Sequence, residues 1–424
     1  MNVFPPSRAC ARAIAIVLAA LGANSAAGAE DGTGFTDTEV VIGGTCATSG
    51  PLASFGTICS MEEAYFKYVN EALGGVKMGD GKTRKIKYVW YNDEYSPPRT
   101  VEQVKRLVER DEVAAIVNVL GTATNLAVWD YLNKRGVPQL YIGTGATIFG
   151  TDLEKHPYTM AWQVPYSTEA AIYAEFVKSK WPQGKVAILY QKDDFGEDLR
   201  GSFKRAIEGS GVKVIAEEAY DPTSPTIDSQ VVNLAASKAD VLLNFSIPRF
   251  AAQAIRKANE IDWKPAQIIV NISASVAAVF KPAGLEASKG IYSGIDVIDP
   301  SDPRFANDPG QKLYREIAAK YGTKLVNPDD PTTMWGFING QMVVKTLQNM
   351  KKPTRDAMMQ AARNQCGVEI MGLLPGIKLC TQGAKDPFPI ESMQMAQFDG
   401  TRFEPIGPII TRYEGNAPAL AGKR

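Results

Sequence analysis

Residues 185–216 read KVAILYQKDDFGEDLRGSFKRAIEGSGVKVIA, and this stretch decides the fold. A short apolar run at 185–190 is followed by a segment of helical periodicity at 197–208 and by a second apolar run at 212–216. Short apolar runs on either side of a helical pattern are typical of a βαβ unit, in which the two strands lie parallel in one sheet.

The same alternation covers much of the chain. Further strands are predicted at 40–42, 87–90, 114–119, 139–142, 240–244 and 268–270, with helices at 60–73, 97–110, 124–134, 228–236 and 249–261. A chain of 424 residues is longer than one ordinary globular unit. We therefore predict an α/β fold of two Rossmann-like lobes, each built around a parallel sheet.

The C-terminal third of the chain has a different pattern. Residues 299–310 (DPSDPRFANDPG) have the composition of a solvated loop, and their carboxylates lack the spacing of an EF-hand calcium site. Helices are predicted at 311–321, 334–350 and 355–364. The segment 390–413 is predicted to form paired strands, with Asp399 and Gly400 in a hairpin turn.

The N-terminus has the three parts of a secretory signal peptide. Arg8 and Arg12 precede an apolar run at 13–23, and small residues follow up to Ala29. An N-terminal membrane anchor is the alternative, but eleven apolar residues are too few to span a bilayer comfortably. We predict that residues 1–29 are a signal peptide cleaved after Ala29, and that the mature protein is periplasmic.

Four cysteines remain after Cys10 is removed with the signal peptide. Four cysteines allow three pairings, and we expect the two local ones, Cys46 with Cys59 and Cys366 with Cys380. A zinc site is the alternative. The chain has a single histidine, His156, and these spacings are not those of zinc ligands, so we predict no metal.

Enzyme signatures are incomplete. Residues 75–83 (GVKMGDGKT) resemble a P-loop but follow a predicted helix, and 143–150 (GTGATIFG) lack the third glycine of a dinucleotide-binding turn. Neither a G-x-S-x-G elbow nor an H-E-x-x-H pair occurs. Basic and acidic residues number 46 each, so a basic stripe for nucleic acid is not expected. We predict a protein that is not an enzyme and that uses no cofactor.

Three loops rich in small residues follow predicted strands of the first lobe. They read SGPLASFG at 49–56, GTAT at 121–124 and GTGAT at 143–147. Ligands of open parallel sheets bind at the carboxyl ends of the strands, where helix N-termini favour anions and hydroxyl groups donate without carrying charge. Each loop alone is explained by N-capping, but three in one lobe predict a shared anion-binding rim.

Five segments, in order, resemble a known family. They are SGPLASFG at 49–56, AYFKYVNEALGGV at 64–76, YNDEYSPPR at 91–99, YQKDDFGED at 190–198 and AAQAIRKA at 251–258. The chain resembles the type I periplasmic solute-binding proteins of branched-chain and other hydrophobic amino-acid ABC transporters. The resemblance implies lobes of residues 36–162 with 292–371 and of 163–291 with 372–413, joined by three crossovers near Gln163, Ile291 and Gly372.

The resemblance also implies the ligand contacts. The hydroxyl and backbone groups that hold a ligand carboxylate fall on Thr122 and on Gly143, Thr144 and Gly145, and the aromatic walls fall on Phe55 and Phe195. Tyr95 is a further candidate from its loop position. Trp90, Trp129, Trp162 and Trp335 could also face the cleft, but we expect them to pack in the core.

One departure from the family bears on the ligand. The family's acidic partner for an α-ammonium group falls near Ile272 or Ser273, where this chain has no carboxylate, and a tyrosine of its site falls near Ile247. A buried, unpaired ammonium costs several kcal/mol. We therefore expect an organic acid with an apolar or aromatic body, unless Asp193 or Asp194 serves an ammonium group.

The expected role is capture of a small molecule by a monomer that delivers it to an ABC permease in the inner membrane. Three alternatives remain open. The ligand is a branched-chain or other amino acid or an amide; the protein is a periplasmic sensor; or it is an exported enzyme. Turnover of the bound ligand would distinguish the last.

Overall fold

A computed structural model describes Met1, residues 32–50 and residues 52–413. The predicted signal peptide and its cleavage site lie outside the described residues, apart from Met1. Among the helices of the described part of the chain, none is long and apolar enough to cross a membrane.

Twelve strands form two sheets in the described residues. The strands are β1 (Glu39–Cys46), β2 (Val76–Lys77), β3 (Thr83–Asn92), β4 (Ala115–Val117), β5 (Gln139–Leu140), β6 (Lys185–Gln191), β7 (Lys213–Tyr220), β8 (Val241–Phe245), β9 (Ala266–Ile269), β10 (Tyr292–Ile295), β11 (Ser392–Phe398) and β12 (Phe403–Thr411). The first sheet has the order β2-β3-β1-β4-β5 and the second β12-β11-β10-β9-β8-β6-β7. We call the parts built around them the first and the second lobe.

The helices lie between the strands. They are α1 (Gly56–Ala72), α2 (Pro97–Glu109), α3 (Thr122–Lys134), α4 (Tyr166–Lys180), α5 (Asp194–Ala206), α6 (Asp228–Ala236), α7 (Pro248–Glu260), α8 (Lys281–Ala283), α9 (Leu285–Ser288), α10 (Pro309–Tyr321), α11 (Pro331–Asn349) and α12 (Arg355–Ala362). Strands β1, β3, β4 and β5 are parallel, as are β6 to β10. The predicted two-sheet α/β fold is confirmed.

The stretch 185–216 forms β6, α5 and the start of β7, as predicted. All five residues of β8 are buried, as expected for a strand covered by helices on both faces. Helix α5 begins where the Asp193 carboxylate accepts hydrogen bonds from the amides of Phe195 and Gly196. This cap explains why the helix starts three residues before the predicted position.

The crossovers lie side by side at the hinge. Ile298 N donates to Gly372 O at 2.9 Å, and Leu374 N donates to Asp296 O at 2.9 Å, so the second and third crossing segments run antiparallel. The second crossing comes later than expected. Residues 292–295 form β10, which pairs with β11 of the second sheet, so this sheet extends beyond the crossover placed near Ile291.

Both local disulfide predictions are confirmed. Cys46 bonds Cys59 and Cys366 bonds Cys380. The first bond joins the last residue of β1 to the first turns of α1. It therefore closes the loop that carries Phe55.

Candidate functional site

A small cavity lies between the lobes, at the carboxyl ends of the strands. Its volume is about 20 Å³, and we call it the cleft. It is lined by Leu52, Phe55, Tyr95, Leu120, Gly121, Thr122, Gly143, Gln163, Tyr166, Phe195, Ile247, Ile272 and Trp335. Six of the nine predicted ligand contacts are among these residues: Phe55, Tyr95, Thr122, Gly143, Phe195 and Ile247.

Hydroxyl groups and helix amides form the first-lobe side of the cleft. The Thr122 and Thr144 hydroxyl oxygens lie 2.7 Å apart, and Thr144 also donates to Tyr166 Oη at 3.3 Å. Helix α3 begins at Thr122 without a side-chain cap. The first amides of a helix have no intrahelical partner and carry a partial positive charge, so this end of α3 suits an anion.

Glycines allow this side of the cleft to pack closely. At Gly121, φ is +94°, and a Cβ there would lie 2.1 Å from the Tyr95 ring. At Gly145, a Cβ would lie 2.3 Å from Val164 O, on the first crossover. Gly145 thus supports the rim from behind and is not itself among the cleft-lining residues.

Aromatic rings form the side walls. Phe55 is buried and stacks against Trp335 with ring centroids 6.4 Å apart, while Phe195 meets Tyr166 edge to face at 5.3 Å. Trp335 lies in the first turn of α11, where we expected core packing. Trp90, Trp129 and Trp162 do not line the cleft; Trp90 donates to Glu63 and Trp129 to Thr159.

The second-lobe side of the cleft is apolar. Phe195, Ile247 and Ile272 supply it, and none of the residues that line the cleft is acidic. Ser273 is buried and donates its hydroxyl hydrogen to Ser246 O at 2.6 Å, so it does not face the cleft. The position at which an ammonium partner was sought therefore has no such group.

The Asp193 carboxylate already has partners within its own lobe. Its Oδ1 accepts from Phe195 N at 3.1 Å and Gly196 N at 3.3 Å, and its Oδ2 accepts from Gln191 Nε2 at 2.5 Å. Asp193 does not line the cleft. Its role in the described structure is to cap α5.

Two buried carboxylates lie at the hinge. Glu169 accepts hydrogen bonds from Asn271 N and Tyr173 Oη, each at 2.7 Å, and Asn271 Nδ2 donates to Asp296 at 3.1 Å. Desolvation raises the pKa of Glu169 to about 7 and that of Asp296 to about 6. This cluster joins α4, the loop before Ile272 and the second crossover.

The lobes are closed on each other. Helix α3 of the first lobe contacts α5 of the second. Thr147 N donates to the Asp198 carboxylate on α5 at 2.8 Å. The site can therefore enclose a small solute between a polar and an apolar face.

Comparison with known proteins gives the family. The family model described as periplasmic binding protein matches residues 39–402. A Leu/Ile/Val-binding protein homologue of Brucella melitensis is 25% identical over 48% of this chain. That match spans 53% of the relative, about half of its length.

Solved structures share the fold. A fatty acid ABC transporter substrate-binding protein from Thermomonospora curvata has a TM-score of 0.73 at 22% identity, covering 91% of this chain and 95% of that one. A branched-chain amino acid ABC transporter structure from Thermus thermophilus with bound valine has a TM-score of 0.76 at 16% identity, covering 88% and 96%. From the family match over residues 39–402, the chain belongs to the periplasmic binding protein family, whose members bind solutes and are not enzymes.

Proposed function

We propose that the chain is the extracytoplasmic substrate-binding component of an ABC importer and that it captures a small organic acid with an apolar or aromatic body. The observation that carries this proposal is the asymmetry of the cleft. Uncharged donors lie on one side, and an apolar surface without a carboxylate lies on the other. Family membership supports the solute-binding role.

The chemistry of the lining favours an acid over an α-amino acid. Thr122, Thr144 and the amides that begin α3 offer hydrogen bonds to a carboxylate. An ammonium group placed against Ile247 and Ile272 would lose its hydration without gaining a partner, at a cost of several kcal/mol. The contacts we propose for the ligand are Phe55, Tyr95, Thr122, Gly143, Thr144, Phe195 and Ile247.

Capture requires only binding and closure. The ligand docks on the first lobe, and the second lobe turns about the crossovers to exclude water, which strengthens each polar contact. A permease that recognises the closed form then distinguishes loaded from empty protein. We propose that the protein works as a monomer in the periplasm after cleavage behind Ala29, so that the mature chain begins at Glu30.

A ligand screen by thermal shift tests the proposal. Aromatic and other hydrophobic acids should raise the Tm of ligand-free protein more than leucine does, because leucine brings an ammonium group that the cleft does not pair. Native mass spectrometry of freshly purified protein complements the screen, since tight binders often retain their ligand. A Tm increase with leucine and none with the acids would contradict the proposal.

An amino acid is the second candidate ligand. It is favoured by the name of the Brucella melitensis relative, a Leu/Ile/Val-binding protein homologue, and by the valine in the Thermus thermophilus structure. For this chain it would require Asp193 to exchange its capping bonds for the ammonium group. Asp193→Asn should then abolish amino-acid binding and leave acid binding unchanged.

A further inference from the structure

A second and larger cavity lies beside the cleft. Its volume is about 310 Å³, and we call it the hinge pocket. Residues of both lobes and of two crossovers line it: Asn271, Ile272, Ala274, Ser275, Ile295, Val297, Asp299, Asp302, Arg304, Phe305, Pro331, Thr332, Trp335, Leu374, Pro375, Gln394, Phe403 and Pro405. Ile272 and Trp335 also line the cleft, so these two side chains are the shared wall.

The two volumes differ in what they can hold. A cavity of about 20 Å³ is close to the space of one water molecule, which needs roughly 10–15 Å³. Pockets for small organic ligands start at about 300 Å³. The closed cleft is therefore large enough for a carboxylate group, and the hinge pocket for an apolar body.

Polar side chains around the hinge pocket already have partners in the protein. Asn271 Nδ2 donates to Gly294 O at 2.9 Å, Ser275 donates to Asp330 at 3.2 Å, and Gln394 Nε2 donates to Gly407 O at 2.8 Å. The surface left for a ligand is mostly apolar, with Phe305, Leu374 and Phe403 among its rings and chains. An apolar body would displace water from this surface without breaking those bonds.

Charge fixes the direction in which an acid would lie. Asp302 is paired with Arg304 at 2.8 Å, whereas the Asp299 carboxylate accepts only from Ser301 among the described residues. The hinge pocket thus has a surplus of negative charge, which repels a carboxylate. A ligand carboxylate is favoured at Thr122 and Thr144 instead.

We propose that the ligand is an elongated amphipathic acid whose carboxylate lies on the Thr122 rim and whose apolar body passes Trp335 and Ile272 into the hinge pocket. This inference rests on the proposed function and narrows its substrate class. It assigns the hinge pocket to the distal part of the same ligand. Trp335, which begins α11, is then the residue that sets the passage between the two cavities.

Calorimetric titration with propanoate, hexanoate and octanoate tests the inference. In the unaltered protein, affinity should rise roughly threefold to fourfold per methylene group, because each added group is removed from water in the hinge pocket. Ala274→Leu places three extra carbons in that pocket and leaves the cleft unchanged. It should lower octanoate affinity at least tenfold and alter propanoate affinity less than twofold.

Ala287→Leu is the matched control, because Ala287 lines neither cavity, and it should leave the whole series unchanged. Octanoate binding no tighter than propanoate in the unaltered protein would overturn the inference and leave the proposed function standing. Equal losses for both acids in Ala274→Leu would also overturn it. Absence of binding by every acid would overturn the proposed function itself. The chain-length series in the unaltered protein decides the matter even where a variant misfolds.

Discussion

At the scale of the residue, the chemistry of the rim was predictable and its geometry only in part. Small hydroxylic residues after strands indicated Thr122 and Thr144 because such residues serve helix starts and anions. Ser273 was predicted for the same site, but its hydroxyl bonds Ser246 O. The cleft position of Trp335 could not be predicted, because only the second crossover brings α11 back to the first lobe.

Replacing Thr122 tests the anion-binding rim. Thr122→Val removes one donor next to the expected carboxylate, and loss of a hydrogen bond to a charged group costs about 1.5–3 kcal/mol. We expect 3-phenylpropanoate to bind at least tenfold more weakly by calorimetry, with little change in Tm. Thr38→Val, at an exposed threonine, is the control and should bind normally. Equal affinities of the two variants would show that the rim does not bind the carboxylate.

Burial of Glu62 in the first lobe makes stability depend on pH. Tyr88 donates to Glu62 at 2.6 Å, and desolvation raises the Glu62 pKa from 4.5 to about 8. Since the folded protein holds this proton more tightly than the unfolded chain, stability is greatest below pH 4.5 and declines as the pH rises towards 8. Glu62→Gln keeps the hydrogen bond without the proton equilibrium. Urea unfolding between pH 5 and 8 should show a flatter decline for the variant, with the remainder due to Glu169 and Asp296. Identical slopes would contradict this.

At the scale of the element, alternation of apolar and helical segments predicted most strands and helices. Helix α6 agrees at both ends, and α2, α3 and α7 agree within two residues. Two elements were missed for physical reasons. Helix α4 has no clear polar face, because ten of its fifteen residues are buried between the lobes' layers. Strand β10 (YSGI) is short and contains a glycine, so its pairing with β11 leaves little trace in the sequence.

The turn into α3 requires glycine. Gly121→Ala would place a Cβ 2.1 Å from the Tyr95 ring at a φ of +94°, so ring and backbone must both shift. We expect a loss of roughly 2–5 kcal/mol in the free energy of unfolding and weaker 3-phenylpropanoate binding. Gly74→Ala is the control, because its φ is +78° and nothing lies within 4 Å of the added Cβ. It should cost about 1 kcal/mol and leave binding intact. A Gly121→Ala protein with normal stability would refute the close approach.

The two disulfides have different relations to the cleft. Each closes a short loop, so removing either pair by Cys→Ala should cost about 3 kcal/mol in urea unfolding. Only the Cys46–Cys59 bond closes the loop that carries Phe55, so only its removal should also weaken ligand binding. The Cys366/Cys380 variant is the matched control. Equal effects of both variants on affinity would contradict the assignment.

At the scale of the whole molecule, length and repetition predicted two lobes, whereas the hinge had to be seen. The antiparallel pairing of residues 296–298 with 372–374 joins segments far apart in the chain, and no local pattern indicates it. Closure brings Thr147 and Asp198 together and places a polar face opposite an apolar one. The ligand preference follows from that opposition.

A matched pair of ligands measures that preference. 3-Phenylpropanoate and phenylalanine share a carboxylate and a ring and differ only in the α-ammonium group, so calorimetry of the two on ligand-free protein isolates the cost of that charge in the cleft. We predict that 3-phenylpropanoate binds at least tenfold more tightly. Tighter binding of phenylalanine would show that the second lobe pairs the ammonium group, and would contradict the cleft described above.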